Sequence, residues 1–294
     1  MQLASLGEIL WDLIDGQELL GGATFNFSVQ LSRLGHDVSF VSAVGDDDRG
    51  RRALETASQL GLSTKFIRTV KDAPTGIVSV TVDAQGQPSY VLHRPAAYDF
   101  AALPASPDLR LGAGPIDPDW IYHGTLQSIE PRMLALLHEL LARYPDARRF
   151  YDINLRKNSY TTPLVVELLQ LADVVKLNDD ELARVQQMAG TSHTSIENFC
   201  RDYASRFDWE AVCVTRGDRG CAILKGDEYV EVSVVPVSVA DAVGAGDAFA
   251  AAFLHGLDAG WPPAKIGAFA NRLGALVASR AGGIPEWSPR ELDL

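Results

Sequence analysis

Cysteine, basic charge and long apolar runs are all scarce in this chain, and each scarcity closes off a class of protein. Only three cysteines occur in 294 residues: Cys200, Cys213 and Cys221. The count is odd and no C-x-x-C pair exists, so a disulfide framework is not expected and a reduced, cytoplasmic chain is the simplest reading. The six histidines fall in no H-E-x-x-H or similar cluster, which leaves no zinc centre to expect. Against 38 acidic residues stand 26 basic ones, a net charge of −12. Such a surface does not neutralise a phosphate backbone, and no nucleic-acid partner is expected. A local pocket for nucleotide phosphates stays open, because backbone amides at a helix start hold anions inside an acidic protein. No stretch approaches about 18 uninterrupted apolar residues, and Met1 to Ile9 lacks the parts of a signal peptide. Neither membrane insertion nor secretion is expected.

What is present is ample apolar content, 47% of residues, arranged as short runs of β-formers alternating with segments of helical period. That is the pattern of a parallel sheet covered by helices, hence an α/β fold. Strands are predicted at 38–44, 120–122, 149–153, 173–177 and 211–215. Helices are predicted at 24–34, 49–60, 131–143, 163–171, 179–188, 246–259 and 263–279. No linker, repeat or low-complexity tract divides the chain, so one domain spanning 1–294 is expected. The alternation breaks once, where 76–82 and 89–94 read as a hairpin across a turn-rich connector at 83–88. It forms either a small separate sheet over a pocket or an extension of the main sheet.

Chemistry concentrates in Asp241-Ala-Val-Gly-Ala-Gly-Asp247, which runs into an apolar helix. Gly244 and Gly246 flank a helix start, where unpaired amides and the positive end of the helix dipole converge into an anion cradle. Asp247, in the first turn, would repel a resident phosphate, yet it is well placed as general base for a hydroxyl attacking that phosphate. In isolation, a G-x-G-D is more simply a stabilising acid at a helix start. A dinucleotide motif is disfavoured, since Phe249 stands where the third glycine of G-x-G-x-x-G belongs, and no G-x-x-x-x-G-K-[ST] occurs.

This stretch resembles the D-T-x-G-A-G-D signature of the ribokinase-like (PfkB) sugar kinases, with Ala242 in place of the usual threonine. Further motifs occur in the family's order. Gly7-Glu-Ile-Leu-Trp-Asp12 sets Asp12 just after the first strand. Gly21-Gly-Ala-Thr-Phe-Asn26 and Gly45-Asp-Asp-Asp-Arg-Gly50 resemble G-G-x-x-x-N and G-D-D-x-x-G. Asp152-Ile-Asn-Leu-Arg156 resembles D-x-N-x-R, Lys176-Leu-Asn-Asp-Asp-Glu181 resembles K-x-N-x-x-E, and Thr215-Arg-Gly-Asp-Arg-Gly220 resembles T-x-G-x-x-G. Each has a plain structural alternative: a loop acid at Asp12, a helix cap at Asn178, a salt bridge at Arg156, a hairpin turn at Thr215 to Gly220.

The resemblance implies a ribokinase-like three-layer α/β/α domain with a mainly parallel sheet and a small β-sheet lid, near 13–20 and 76–98. It implies ATP-dependent phosphorylation of a sugar hydroxyl, with Asp247 as base and Gly244, Ala245 and Gly246 as the anion hole. Asp12, Gly21, Gly22, Asn26, Arg94, Tyr98 and Arg156 are the implied sugar contacts. Asn178, Thr215, Gly217, Gly220, Gly246 and Asn271 are the implied nucleotide contacts. Glu181 would meet magnesium through water. Asp241, Val243, Ala278 and Gly283 would form a monovalent-cation loop for an ion such as K+. MgATP and a small sugar are the expected ligands, with homodimer pairing through the lid open. His93-Arg-Pro-Ala-Ala-Tyr98 and the Gly7 to Asp12 motif look most like fructokinases, so fructose is expected to give fructose 6-phosphate. The alternatives are 2-keto-3-deoxygluconate kinase, ribokinase, or a non-catalytic sugar or nucleotide sensor.

Overall fold

The computed structural model describes residues 1–14, 16–82, 88–103 and 116–292. Its first part runs β1 (Gln2–Leu6), β2 (Leu10–Ile14), β3 (Gln17–Gly21), α1 (Ala23–Arg33), β4 (Asp37–Gly45), α2 (Asp48–Gln59) and β5 (Ile67–Val70). The hairpin strands β6 (Gly76–Val82) and β7 (Pro88–Leu92) follow, then β8 (Trp120–Gly124), the short α3 (Thr125–Ser128), α4 (Pro131–Arg143), β9 (Arg148–Asp152) and α5 (Thr162–Leu171). The last part is β10 (Val174–Asn178), α6 (Asp179–Ala189), α7 (Ile196–Phe207), β11 (Ala211–Thr215), β12 (Cys221–Lys225), β13 (Glu228–Val232), α8 (Ala245–Asp258) and α9 (Pro263–Ala278).

Nine of these strands form one sheet in the order β13-β12-β11-β10-β9-β8-β1-β4-β5. From β11 to β5 every pairing is parallel, while β12 and β13 close one edge antiparallel. Both faces are covered, which is why β8 reads as an unbroken buried run. Alternate side chains sort to the two faces. Tyr122, Phe150, Val174 and Cys213 join the core beneath α1, α2, α8 and α9. Ile121, Tyr151, Val175 and Val212 join the core beneath α4, α5, α6 and α7. The three layers therefore follow from a period of two along each strand.

Sequence expectation and structure agree on the sheet and its helices, within a few residues at each end. Helix starts carry chemical signals: Asp47 accepts from the Gly50 amide at 2.8 Å to start α2, and Thr161 caps α5 with Pro163 in its first turn. Several elements escape the periodicity, among them β2, β3, β5, β13, the short α3 and the polar-rich α7. The hairpin belongs to a separate four-stranded sheet, order β3-β2-β6-β7, rather than to the main one. Asp12 thus lies within a strand of that smaller sheet, not in a loop after the first strand. Of the predicted connector, residues 83–87 lie outside the described residues. The three cysteines are free and buried, and among the described residues no helix is long and apolar enough to cross a membrane.

Candidate active site

In a parallel sheet, ligand-binding side chains collect beyond the carboxyl ends of the strands. Here those ends deliver Glu8 after β1, Thr125 and Gln127 after β8, and Asp152, Asn154 and Arg156 from β9 onward. Together with Thr24 and Tyr122 they line one crevice. Glu8 is held by α1, accepting from the Thr24 amide at 3.3 Å and the Thr24 hydroxyl at 3.1 Å. Asn154 adopts a left-handed backbone, φ 42°, which turns the chain out of β9 toward Arg156.

The amino end of α8 is tied to the helix that walls this crevice, since Asn26, two residues beyond the lining residue Thr24, bonds Asp247. Gly244 has φ 77°, and a Cβ there would sit 2.2 Å from the Gly283 carbonyl oxygen, so only glycine fits. No side chain caps the helix. The first intrahelical bond runs from Ala248 to Gly244 at 2.9 Å, leaving the Gly246 and Asp247 amides ahead of the ladder. A Cβ on Gly246 would meet open space. The cradle predicted from the glycines is therefore bare and accessible.

Asp247 itself is buried, and Asn26 Nδ2 donates to its Oδ2 at 2.8 Å across 221 positions of sequence. Burial pushes its pKa up to about 7, with Asp152 adding to the rise and Asn26, Arg156 and Lys176 opposing it. A carboxylate poised near neutrality both accepts and releases a proton at working pH. Asp12 and Asn26 stand on either side of Gly21, where a Cβ would lie 3.0 Å from Asp12 Oδ2 and 3.8 Å from Asn26 Oδ1. Gly22 starts α1 at φ 117°. Burial pushes Asp12 up to about 6, eased by Arg156 and reinforced by Glu8. Asp12, Gly21, Asn26, Arg156 and Asp247 are thus brought together from both ends of the chain. Asn26 Oδ1 is buried there with no partner.

Arg94 meets the crevice wall at Leu126, and both Arg94 and Tyr98 are engaged with protein groups. Arg94 donates to the Leu126 carbonyl at 2.8 Å, pairs with Asp99 at 3.1 Å and lies over the Tyr98 ring. Tyr98 is buried with Leu10, Val78 and Ala96, and burial pushes its hydroxyl up to about 12. Both tie the small sheet to the body.

Across the cradle, Thr215 ends β11 and a short 3-10 turn, Gly217–Arg219, leads to Gly220. Gly217 and Gly220 have φ 58° and 84°, and a Cβ on Gly220 would lie 2.0 Å from the Val232 carbonyl oxygen. Asn271 uses its amide nitrogen to hold the Val232 and Ser233 carbonyls, at 3.0 and 3.4 Å. Asn178 caps α6 in a reciprocal box, accepting from the Glu181 amide while Glu181 accepts from the Asn178 amide, both at 2.8 Å. Glu181 also accepts from Leu155 at 2.7 Å, and burial raises its pKa.

The donor set bears on metals. Among the described residues no three His, Cys, Asp or Glu form a metal site. Glu181 engages both oxygens with amides, so magnesium would fit here only as an ion carried by phosphates and reached through water. In the predicted cation loop, Asp241 accepts from the Val243 and Gly282 amides at 3.0 and 3.1 Å. The Ala278 carbonyl accepts from Ala240 and Asp241 at 2.9 and 3.2 Å. These bonds order the loop, and oxygens that accept an amide keep lone pairs with which they could hold a monovalent cation.

Sequence reading assigns no role to Glu8, Tyr122, Asn154 or Lys176. Lys176 had a visible signal: a lysine inside the buried run Val174–Asn178 needs a partner. Its ammonium meets Asp152 at 2.9 and 3.0 Å.

A bare helix start beside a buried, neutral-poised carboxylate, at the carboxyl edge of a parallel sheet, suits phosphoryl transfer to a small molecule. The pfkB family carbohydrate kinase profile matches residues 13–289, and the chain belongs to that family of carbohydrate kinases. A fructokinase of Klebsiella pneumoniae is 29% identical over 298 residues, covering 95% of this chain and 94% of that protein. An aminoimidazole riboside kinase of Salmonella typhimurium is 26% identical over 278 residues, covering 90% and 83%. Among solved structures, a fructokinase from Xylella fastidiosa with bound ATP superposes with a TM-score of 0.83 at 22% identity, over 96% of this chain and 93% of that one. The fold is ribokinase-like.

Proposed function

We propose that this kinase transfers the γ-phosphoryl group of MgATP to a hydroxyl of a small sugar, with fructose as the first candidate and fructose 6-phosphate as product. The observation that carries the reading is Asp247: buried, held by Asn26 at 2.8 Å, poised at about 7, and set in the first turn of a helix with open amides. Asp247 takes the proton of the attacking hydroxyl. The amides from Gly244 to Gly246 receive the negative charge of the transferring group. Asp12 and Asn26 orient the sugar through its other hydroxyls, and the turn from Thr215 to Gly220 receives the nucleotide phosphates. Magnesium, when bound, spreads charge between phosphates, and Glu181 would steady it through water. The small sheet that carries Asp12 closes over the sugar and excludes water.

A carboxylated sugar such as 2-keto-3-deoxygluconate is the second reading. Arg156 favours it, since this exposed guanidinium lines the crevice and makes no salt bridge among the described residues. The relatives named above act on different acceptors by their names, so they support the reaction class more than the sugar. The deciding assay measures ADP release with MgATP over fructose, ribose, 2-keto-3-deoxygluconate and nucleosides, with Asp247→Asn as control. Fructose is expected to give the highest kcat/KM, and Asp247→Asn to lose at least about 1,000-fold. Turnover of no acceptor, or full activity in Asp247→Asn, sinks the mechanism; preference for the acid sugar replaces fructose with the second reading.

A further inference from the structure

Helix α1 carries no cap of its own. Its N-cap is Gly22, which makes no side-chain bond, and no acid stands in its first turn. A side chain does not fit there: at φ 117°, a Cβ on Gly22 would lie 2.7 Å from the Glu8 carbonyl oxygen. The cap comes instead from the turn after β1. Glu8 accepts from the Thr24 amide at 3.3 Å, the second amide of α1 and one that an N-cap side chain would ordinarily take, and from the Thr24 hydroxyl at 3.1 Å. Gly7 permits this approach, since a Cβ there would meet the Thr24 hydroxyl oxygen at 2.2 Å. The turn is itself anchored to β4, where Ser42 donates to the Gly7 carbonyl at 2.7 Å and the Gly7 amide donates to Val41 at 3.3 Å. Two residues past Thr24, Asn26 donates to Asp247 Oδ2 at 2.8 Å.

We propose that Glu8 is a positioning residue for phosphoryl transfer: by capping α1 from the end of β1, it sets the first turn of that helix so that Asn26 meets Asp247. The assignment rests on Asp247 as base. Glu8, Thr24, Asn26 and Asp247 form one run of direct contacts, from a strand paired on both sides to the first turn of α8. The Asn26 Oδ1 makes no bond, so the Asp247 contact alone orients that amide, and the placement of the backbone beneath it decides whether the contact forms. Further along α1, Ser28 donates to Ser5 of β1 at 2.9 Å. That tie holds the second turn and leaves the first to Glu8. A loss of the cap therefore frays the helix where it carries Asn26, and a shift of about 1 Å at a reacting group costs on the order of 100-fold in rate.

Two substitutions of similar size separate the cap from the charge. Glu8→Gln and Glu8→Met both remove the negative charge, and only glutamine keeps an acceptor for the Thr24 amide. The other groups that act on Asp247 are the same in both variants: Tyr122 of β8, Asp152 and Arg156 of β9 and its exit, and Lys176 of β10. The acid limb of log kcat/KM against pH, read on the preferred sugar with saturating MgATP, reports ionisation of the base. Loss of the Asn26 donor raises that limb, so it is expected at least about 0.5 pH unit higher in Glu8→Met than in Glu8→Gln. A kcat at least about 10-fold lower should accompany it. The same two substitutions are then made on Asn26→Leu, where the limbs are expected to coincide because the cap has no Asn26 amide left to place. Thermal melts check the fold, and Glu8→Leu serves should Glu8→Met not fold. A cap that only stabilises α1 lowers Tm and leaves the limbs together. Coincident limbs with Asn26 present, or an equal separation in both backgrounds, overturn the assignment. An active Asp247→Asn enzyme overturns both this assignment and the base on which it rests. An inactive Asp247→Asn enzyme with coincident limbs removes only the role of Glu8.

Discussion

Replacing Asp247 by asparagine should make the unliganded protein more stable at alkaline pH while abolishing turnover. In the unfolded chain the carboxyl titrates at its ordinary 3.8, and in the folded chain burial pushes it up to about 7. An acid with a raised folded pKa holds its proton more tightly in the native state. Its contribution therefore favours folding below pH 3.8, weakens between 3.8 and about 7, and becomes a constant penalty above that range. Three units at about 1.4 kcal/mol each make that penalty about 4 kcal/mol. Asparagine keeps an oxygen for the Asn26 donor and carries no charge, so it removes the penalty without opening a cavity. For a chain of this size about 2 °C accompanies each kcal/mol, so Tm at pH 8 should rise by roughly 8 °C. At pH 4 the two proteins should melt together. Circular dichroism melts of both at pH 4, 6 and 8 provide the measurement. A Tm difference independent of pH, or a variant less stable at pH 8, would refute the reasoning, because Asp247 would then not be a buried ionised group.

Two further substitutions probe its neighbours. Asn26→Leu removes the donor that favours ionised Asp247, and should move the acid limb of kcat/KM up by about one pH unit; an unmoved limb would show that the 2.8 Å contact is not made in solution. Gly220→Ala should destabilise by about 1–3 kcal/mol in urea unfolding, since its new Cβ meets the Val232 carbonyl at 2.0 Å. Gly217→Ala, with nothing within 4 Å, should cost less, and the reverse ranking would mean that the turn is not held against β13.

The layers of this fold were legible because they follow from local rules. Strand alternation, the Asn178 cap and the glycine at Gly244 are each decided within a few residues, and each is found where the pattern puts it. The hairpin was legible as a hairpin, but its pairing with β2 was not, because two strands some 60 residues apart leave no local mark of which sheet they join. Asp247 could be read as an acid at a helix start. Its burial, and hence its proton affinity, depends on Asn26 and on packing that only the tertiary structure supplies. The Lys176 and Asp152 pair shows the same limit: each is conspicuous within a buried strand, yet neither names its partner.

An acidic chain that binds a polyanion needs its charges sorted, and the sorting here is spatial. Glu8 and Asp152 line the crevice in the neighbourhood of Asp12 and Asp247, where sugar hydroxyls would be natural donors to ionised carboxylates. On the proposed phosphate side the buried acid is Glu181, whose oxygens already accept amides. The positive potential of that side comes from the uncapped start of α8 rather than from lysines. Backbone dipoles add no net charge, so they attract the transferring phosphate without drawing Asp247 into a salt bridge that would depress its pKa. A lysine side chain at Gly246, where a Cβ has open space, would fit sterically but would make that bridge. Backbone geometry does not demand glycine at 246, where φ is not left-handed and a Cβ meets open space, so the position stays open to the transferring group as long as it carries no cation.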